Sequence, residues 1–205
     1  MSLGRRKSWG KKRGEKDREI TREKRPAKPL DADRLQELAL HYVSKYATTK
    51  AKLVRYLERK LRERGWDDDT SGGEPADPVA IAERFAARGF LDDETYAHMR
   101  SRDLLRRGYG PRRVGQVLRE AGVGESIREG METDAMQRAK AAILLAQKKR
   151  IGPFALEAPD MKTREKHLAA MLRAGHAFAE VRTVLDAGSE QELDEWLDEL
   201  AEWDE

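Results

Sequence analysis

The stretch GFLDDETYA at residues 89–97, followed by RRGYGPRRV at residues 106–114, decides the fold of this chain. Gly89 predicts the end of one helix, and Asp92 predicts the N-cap of the next, with two further acids at its positive end. A turn with two glycines follows, and Pro111 suits the first turn of another helix. The stretch therefore predicts successive helices joined by tight turns, the second of them rich in arginine.

The same pattern recurs along the chain. Residues 105–118 align without a gap on residues 172–185, so that the turn glycine, two valines and the closing leucine coincide. Residues 44–57 are a fainter copy. A helical unit of roughly 60 residues that occurs three times predicts an elongated, curved array in which each unit packs mainly on its neighbours.

Composition agrees with an all-α chain. Of the 205 residues, 39% are hydrophobic and 39% are charged, and the latter share exceeds the usual proportion of about a quarter. Strand-forming residues are sparse, whereas alanine, leucine and the charged helix formers dominate. These features predict tandem amphipathic helices with thin cores.

Charge is distributed unevenly. The net charge is only +3, yet residues 1–30 carry 12 lysines and arginines against four acids. Residues 189–205 carry nine acids and no basic side chain. We interpret the first segment as a disordered basic arm and the second as an acidic C-terminal helix or tail, which either contacts a partner or serves solubility.

The units are delimited by turns and loops. We predict a first helical repeat over residues 31–91, a second over 92–150 and a third over 151–188, between the arm at 1–30 and the tail at 189–205. The loop that begins at residue 67 belongs to the first repeat.

Catalytic chemistry is poorly represented. The chain has no cysteine, and its four histidines lack the spacing of metal ligands. No glycine loop with a lysine cradles a phosphate, and no apolar run could span a bilayer. We therefore expect a protein that is not an enzyme, without metal or cofactor, in a bacterial cytoplasm.

The candidate binding residues surround the central turn. Guanidinium groups bind phosphates and carboxylates in a bidentate fashion, so this turn suits an anionic partner. The alternative is a solvated basic face that pairs with nearby acids such as Asp103. Tyr109 either contacts the partner or fills the gap between two helices. The candidate residues here are Arg100, Arg102, Arg106, Arg107, Tyr109, Arg112 and Arg113.

These segments resemble the RecX family, the bacterial modulators of the recombinase RecA. The matching pieces are TKAKL at 49–53, the stretches at 89–97 and 107–114, AGV at 121–123 and the third copy at 172–185. The resemblance spans about residues 34–187. The chain differs from the family pattern at Lys52, where an acid is usual, and at His176 and Ala177.

The resemblance implies three tandem three-helix repeats that bind in the groove of the RecA–DNA filament and inhibit recombinase and ATPase activity. It thereby implies a role in recombination, DNA repair and the SOS response, with no cofactor. On the same basis Lys50 and Lys52 join the candidate binding residues. We expect a monomer.

Two other functions stay open at this stage. The chain could be a stand-alone DNA-binding protein whose basic arm follows the phosphates of single- or double-stranded DNA. It could also be an adaptor for an unrelated partner, which fold-level analogy does not exclude.

Overall fold

The computed structural model describes residues 28–67 and 76–202, and these residues form an all-α array of helical repeats, as predicted. The helices are α1 (Ala32–Lys45), α2 (Lys50–Arg64), α3 (Pro78–Ala87), α4 (Asp93–Arg106), α5 (Pro111–Ala121), α6 (Glu125–Glu129), α7 (Ala135–Lys149), α8 (Met161–Arg173), α9 (Phe178–Asp186) and α10 (Glu190–Glu202). A short 3₁₀ turn, Gly152–Phe154, follows α7.

Side-chain caps fix where these helices begin. The carboxylate of Asp92 accepts the backbone N–H of Thr95 at 2.9 Å, and the hydroxyl of Thr49 accepts that of Lys52 at 3.2 Å. Each bond satisfies a backbone donor that has no partner within its helix. The predicted cap Asp92 is confirmed, Asp77 caps α3 in the same way, and Thr49 caps α2.

The apolar stripes of the helices form three cores. The first lies among α1, α2 and α3 around Leu35, Leu53 and Leu57. The second lies among α4, α5 and α6 around Val114 and Leu118. The third joins α7, α8, α9 and α10. The chain thus buries its apolar area in separate small clusters, the arrangement expected of a repeat array.

The predicted repeat boundaries stay predictions, but two details of the structure bear on them. Leu30, which the sequence analysis assigned to the arm, is fully buried in the first core. Its N–H donates to the carbonyl of Gly65 at 2.9 Å, and its own carbonyl accepts from Asp67 at 2.9 Å. Helix α7, assigned to the second repeat, places four of its six buried residues in the third core.

The remainder of the predicted basic arm, residues 1–27, lies outside the described residues. At the other end, the predicted acidic helix is present as α10. Its acids face outward, while Leu193 is buried and Trp196 and Leu197 pack on the third core. Within the described ranges, no helix combines the length and apolar character that crossing a bilayer requires.

Candidate partner-binding surface

The second and third repeats meet at their homologous turns. The N–H of Gly110 donates to the carbonyl of Ala174 at 2.9 Å, and the N–H of Arg112 donates to the carbonyl of Gly175 at 3.1 Å. A Cβ atom at Gly110 would overlap the carbonyl group of Gly175, and a Cβ at Gly175 would overlap Arg113. Glycine is required at both positions because the two backbones touch.

The imidazole of His176 completes this junction. The side chain is 1% exposed, and its Nε2 lies 3.0 Å from the carbonyl oxygen of Gly108. The carbonyl accepts only, so Nε2 carries the proton of the neutral ring. Burial lowers the pKa of His176 below its usual value, against the opposing effects of the Gly108 carbonyl and Glu180.

Three helices end side by side next to this junction. The C-terminal ends of α4, α7 and α8 surround a shallow basin of about 510 Å³, which we call the junction basin. Its charged lining is entirely basic and its floor is apolar, with Tyr109 at one side. The lining residues are Arg107, Tyr109, Leu145, Lys148, Lys149, Ala170, Arg173 and Ala174.

Part of this basic charge stabilises the ends of the helices themselves. Helix C-termini carry partial negative charge and unpaired carbonyls, which nearby cations stabilise. The Nζ of Lys148 donates to the carbonyl oxygen of Arg107 at 3.2 Å, and the guanidinium of Arg107 pairs with Asp103 at 3.1 Å. Lys149 and Arg173 are exposed, and neither has an ion pair or side-chain hydrogen bond to another described residue. These two charges are available to an anionic ligand.

Tyr109 contributes an aromatic face to the basin. It is 37% exposed, whereas His176 at the equivalent position of the third repeat is buried. Of the two readings of Tyr109 from the sequence, partner contact or a plug between helices, the exposed ring is compatible with the first. An aromatic ring among cations is an arrangement that can stack on a nucleobase and bind its phosphates.

The six arginines near the central turn do not form one patch. Arg100 shares Asp103 with Arg107, at 2.9 Å, and Arg113 donates to Gln116 at 2.8 Å. Pairing with a nearby acid, the alternative raised from the sequence, therefore accounts for Arg100 and Arg107, whereas Arg113 bonds to an amide oxygen. Arg102 and Arg106 lie on the exposed face of α4, away from the junction basin, and Arg112 is exposed on α5.

Lys50 and Lys52 lie at the junction of the first and second repeats. The N–H of Lys50 donates to Asp93 at 3.0 Å, and the Nζ of Lys52 donates to the hydroxyl of Tyr96 at 2.5 Å. The same ammonium lies 4.6 Å from the centre of the Tyr96 ring. Lys52 is thus engaged within the protein.

The sequence did not single out Lys148, Lys149 and Arg173 as site residues. All three occupy the last turn of a helix, where basic residues are common, so their pattern carried no distinctive signal. Arg173 comes beside Tyr109 where the two turns meet. Lys148 and Lys149 come beside it because α7 packs on the end of α4. Among the described residues, no cluster of three or more histidines or acids is arranged to hold a metal ion.

The chain is similar to known proteins of one family. Residues 92–130 match the family model described as RecX, second three-helix domain. The chain is 34% identical to the regulatory protein RecX of Myxococcus xanthus over 172 residues, which cover 80% of this chain and 90% of the relative. The chain belongs to the RecX family. It is also 33% identical to the RecX of Acidithiobacillus ferrooxidans, covering 69% of this chain and 89% of that one.

Solved structures support the RecX fold. The crystal structure of RecX from Lactobacillus salivarius superposes with a TM-score of 0.56 at 20% identity, covering 79% of this chain and 96% of that chain. A second RecX crystal structure gives the same TM-score at 21% identity. The matched model lies over α4, α5 and α6, so the best-defined RecX module is the one that presents Tyr109. A regulatory role follows from the family.

Proposed function

We propose that this chain regulates the RecA recombinase by binding in the groove of the RecA–DNA filament and slowing ATP turnover there. The chain acts as a monomer in the bacterial cytoplasm, without catalysis of its own, in recombination, DNA repair and the SOS response. Membership of the RecX family is the observation that carries this proposal.

The junction basin supports it as a contact surface. A RecA filament on DNA presents phosphates and acidic side chains, both of which a basin with four cations and no lining acid attracts. The basin lies where two repeats meet, so its geometry depends on the register of the array. A large partner that binds in this basin therefore contacts the second and third repeats at the same time.

The primary test measures DNA-dependent ATP hydrolysis by RecA in the presence of the full chain. We expect inhibition at less than one chain per RecA subunit, and unchanged hydrolysis at equimolar protein would contradict the proposal. The double change Lys149→Glu and Arg173→Glu reverses two basin charges that are free of described partners. We expect this variant to inhibit at least about tenfold less well, a loss of about 1.4 kcal/mol.

A matched control separates the basin from net charge. Arg119→Glu with Lys162→Glu changes the charge by the same amount at exposed positions outside the basin. The control should inhibit RecA as the unmodified chain does. Equal loss in both variants would assign the effect to overall charge.

The second candidate function, stand-alone DNA binding through the arm, is favoured by the 12 basic residues in residues 1–30. Deletion of residues 1–27 leaves every described residue in place. If the arm carries the function, this deletion abolishes two activities together: the binding of bare DNA, which depends strongly on salt, and the inhibition of RecA. If the repeats carry it, inhibition of RecA persists.

A further inference from the structure

A groove separate from the junction basin lies between α4 and α7. It has a volume of about 520 Å³ and is closed at one end by the segment that links α6 to α7. Its apolar lining comes from Leu105, Met131, Ala141 and Leu144. A volume of this size lies in the range of known ligand-binding pockets. The flexible side chain of Met131 lets the groove adapt to the shape of a ligand. We call it the α4–α7 groove.

Three cations border this groove: Arg102 and Arg106 from α4 and Lys140 from α7. All three are exposed, and none has an ion pair or side-chain hydrogen bond within the described ranges. Arg102 and Arg106 stand one helical turn apart, where like charges repel and disfavour the helix. Glu132 is the single acid in the lining, so positive charge remains in excess.

The groove also contains a polar group that lacks a partner. The Oγ of Ser101 is buried and makes no hydrogen bond to any described residue. Gln137 and Thr133 add further hydrogen-bonding groups at the edge.

The combination of lining groups selects the class of ligand. A nucleic acid backbone matches the cations, but it has no aliphatic group to cover the leucines of the floor. An acidic peptide with an apolar side chain matches both, as in the docking of amphipathic helices into grooves. Helix α7 already packs against one amphipathic acidic helix, since α10 lies on it through the apolar side chain of Leu193 while the acids of α10 face outward.

We propose that the α4–α7 groove binds an acidic, amphipathic peptide segment of a protein partner. An apolar side chain of that segment packs on Leu105 and Leu144, and its carboxylates pair with Arg102, Arg106 and Lys140. This goes beyond the proposed function, because it assigns a peptide site that does not require the junction basin or DNA. It therefore holds or fails independently of inhibition of RecA.

The test uses the full chain and a fluorescent peptide of about 15 residues, long enough to form a helix when bound, with leucines at helical spacing among glutamates. Fluorescence anisotropy should detect saturable binding. Peptides with the glutamates changed to glutamine, or the leucines to serine, should each bind at least about tenfold more weakly. Absence of saturable binding, or equal affinity for either changed peptide, would overturn the proposal.

Variants locate the site on the protein. The changes Arg106→Glu and Lys140→Glu together should weaken binding of the acidic peptide at least about tenfold, while Arg119→Glu with Lys162→Glu should leave it unchanged. Circular dichroism checks that each variant is folded, and Arg102→Gln with Lys140→Gln is the milder substitute. Equal binding by the folded groove variant would overturn the assignment.

A single-stranded oligonucleotide distinguishes the other class of ligand. We expect it to compete poorly with the acidic peptide and to be insensitive to the groove variant. If the oligonucleotide displaces the peptide and loses its affinity in the groove variant, the groove is a nucleic acid site and the peptide proposal is wrong.

Discussion

The backbones of Gly110 and Gly175 touch across the junction of the second and third repeats, and neither position has room for a Cβ atom. Gly110 opens α5, and Gly175 precedes α9, so the two homologous turns of the array face each other. This contact brings the C-terminal end of α8 beside that of α4, while α7 packs on the end of α4 at Gly108 and Leu145. The junction basin lies between these three ends.

Substitution of either glycine by alanine should therefore destabilise the array. We expect Gly110→Ala to lower the free energy of unfolding by about 1–3 kcal/mol through overpacking. Gly175→Ala should cost more, because its φ of 97° adds roughly 1–2 kcal/mol for a residue with a side chain. Urea unfolding measures both.

Gly124→Ala is the control for this pair. Its backbone is not left-handed, and a Cβ there would meet no atom within 4 Å. We expect a change of less than about 0.5 kcal/mol. Equal destabilisation at all three positions would show that the close approach of the two turns is not the cause.

Two adjacent threonines provide a test of the first junction. The hydroxyl of Thr49 donates to the carbonyl of Ala121 at 2.5 Å and also caps α2. Thr49→Val removes the cap and leaves that carbonyl unpaired, so we expect a loss of about 1–3 kcal/mol in the free energy of unfolding.

Thr48→Val is its matched control. The hydroxyl of Thr48 is buried and has no hydrogen-bond partner in the described part of the chain. Its removal should therefore leave the stability unchanged or raise it. A larger loss at Thr48 than at Thr49 in thermal or urea unfolding would contradict the assignment of these two roles.

His176 predicts a pH dependence of stability. Burial lowers the pKa of His176 in the folded chain below the ordinary 6.5, so the unfolded chain binds the proton more readily. Stability from this group is present above pH 6.5 and is lost as the pH falls through the lowered folded pKa. His176→Gln should flatten the dependence of unfolding free energy on pH in that range. An unchanged slope would exclude His176 as its source.

The junction basin predicts a salt-dependent association rate. We expect Lys149→Gln with Arg173→Gln to slow association with the RecA–DNA filament about tenfold at low salt, and much less at high salt, because exposed charges act mainly by steering. Stopped-flow measurements at two salt concentrations check this. Arg119→Gln with Lys162→Gln should associate at the unmodified rate, and equal slowing would assign the effect to net charge.

Local sequence predicted the helices and their caps well. Asp92 and Pro111 begin helices as expected, since capping and proline geometry act over a few residues. The candidate site was predicted less well. Nearness in sequence suggested one patch of six arginines, but a helix turns its residues outward in different directions, and Arg106 and Arg107 line different cavities.

The sequence by itself determined the all-α class, the repetition and the family, because caps, glycine turns and helical periodicity are local properties of the chain. The tertiary structure alone decided which cations come together. Arg173 reaches Tyr109 because two turns distant in sequence pack backbone to backbone at Gly110 and Gly175. Lys148 and Lys149 reach it because α7 packs on the end of α4 at Gly108. It also decided that Leu30 and α7 belong to the first and third cores, since burial depends on which apolar faces meet.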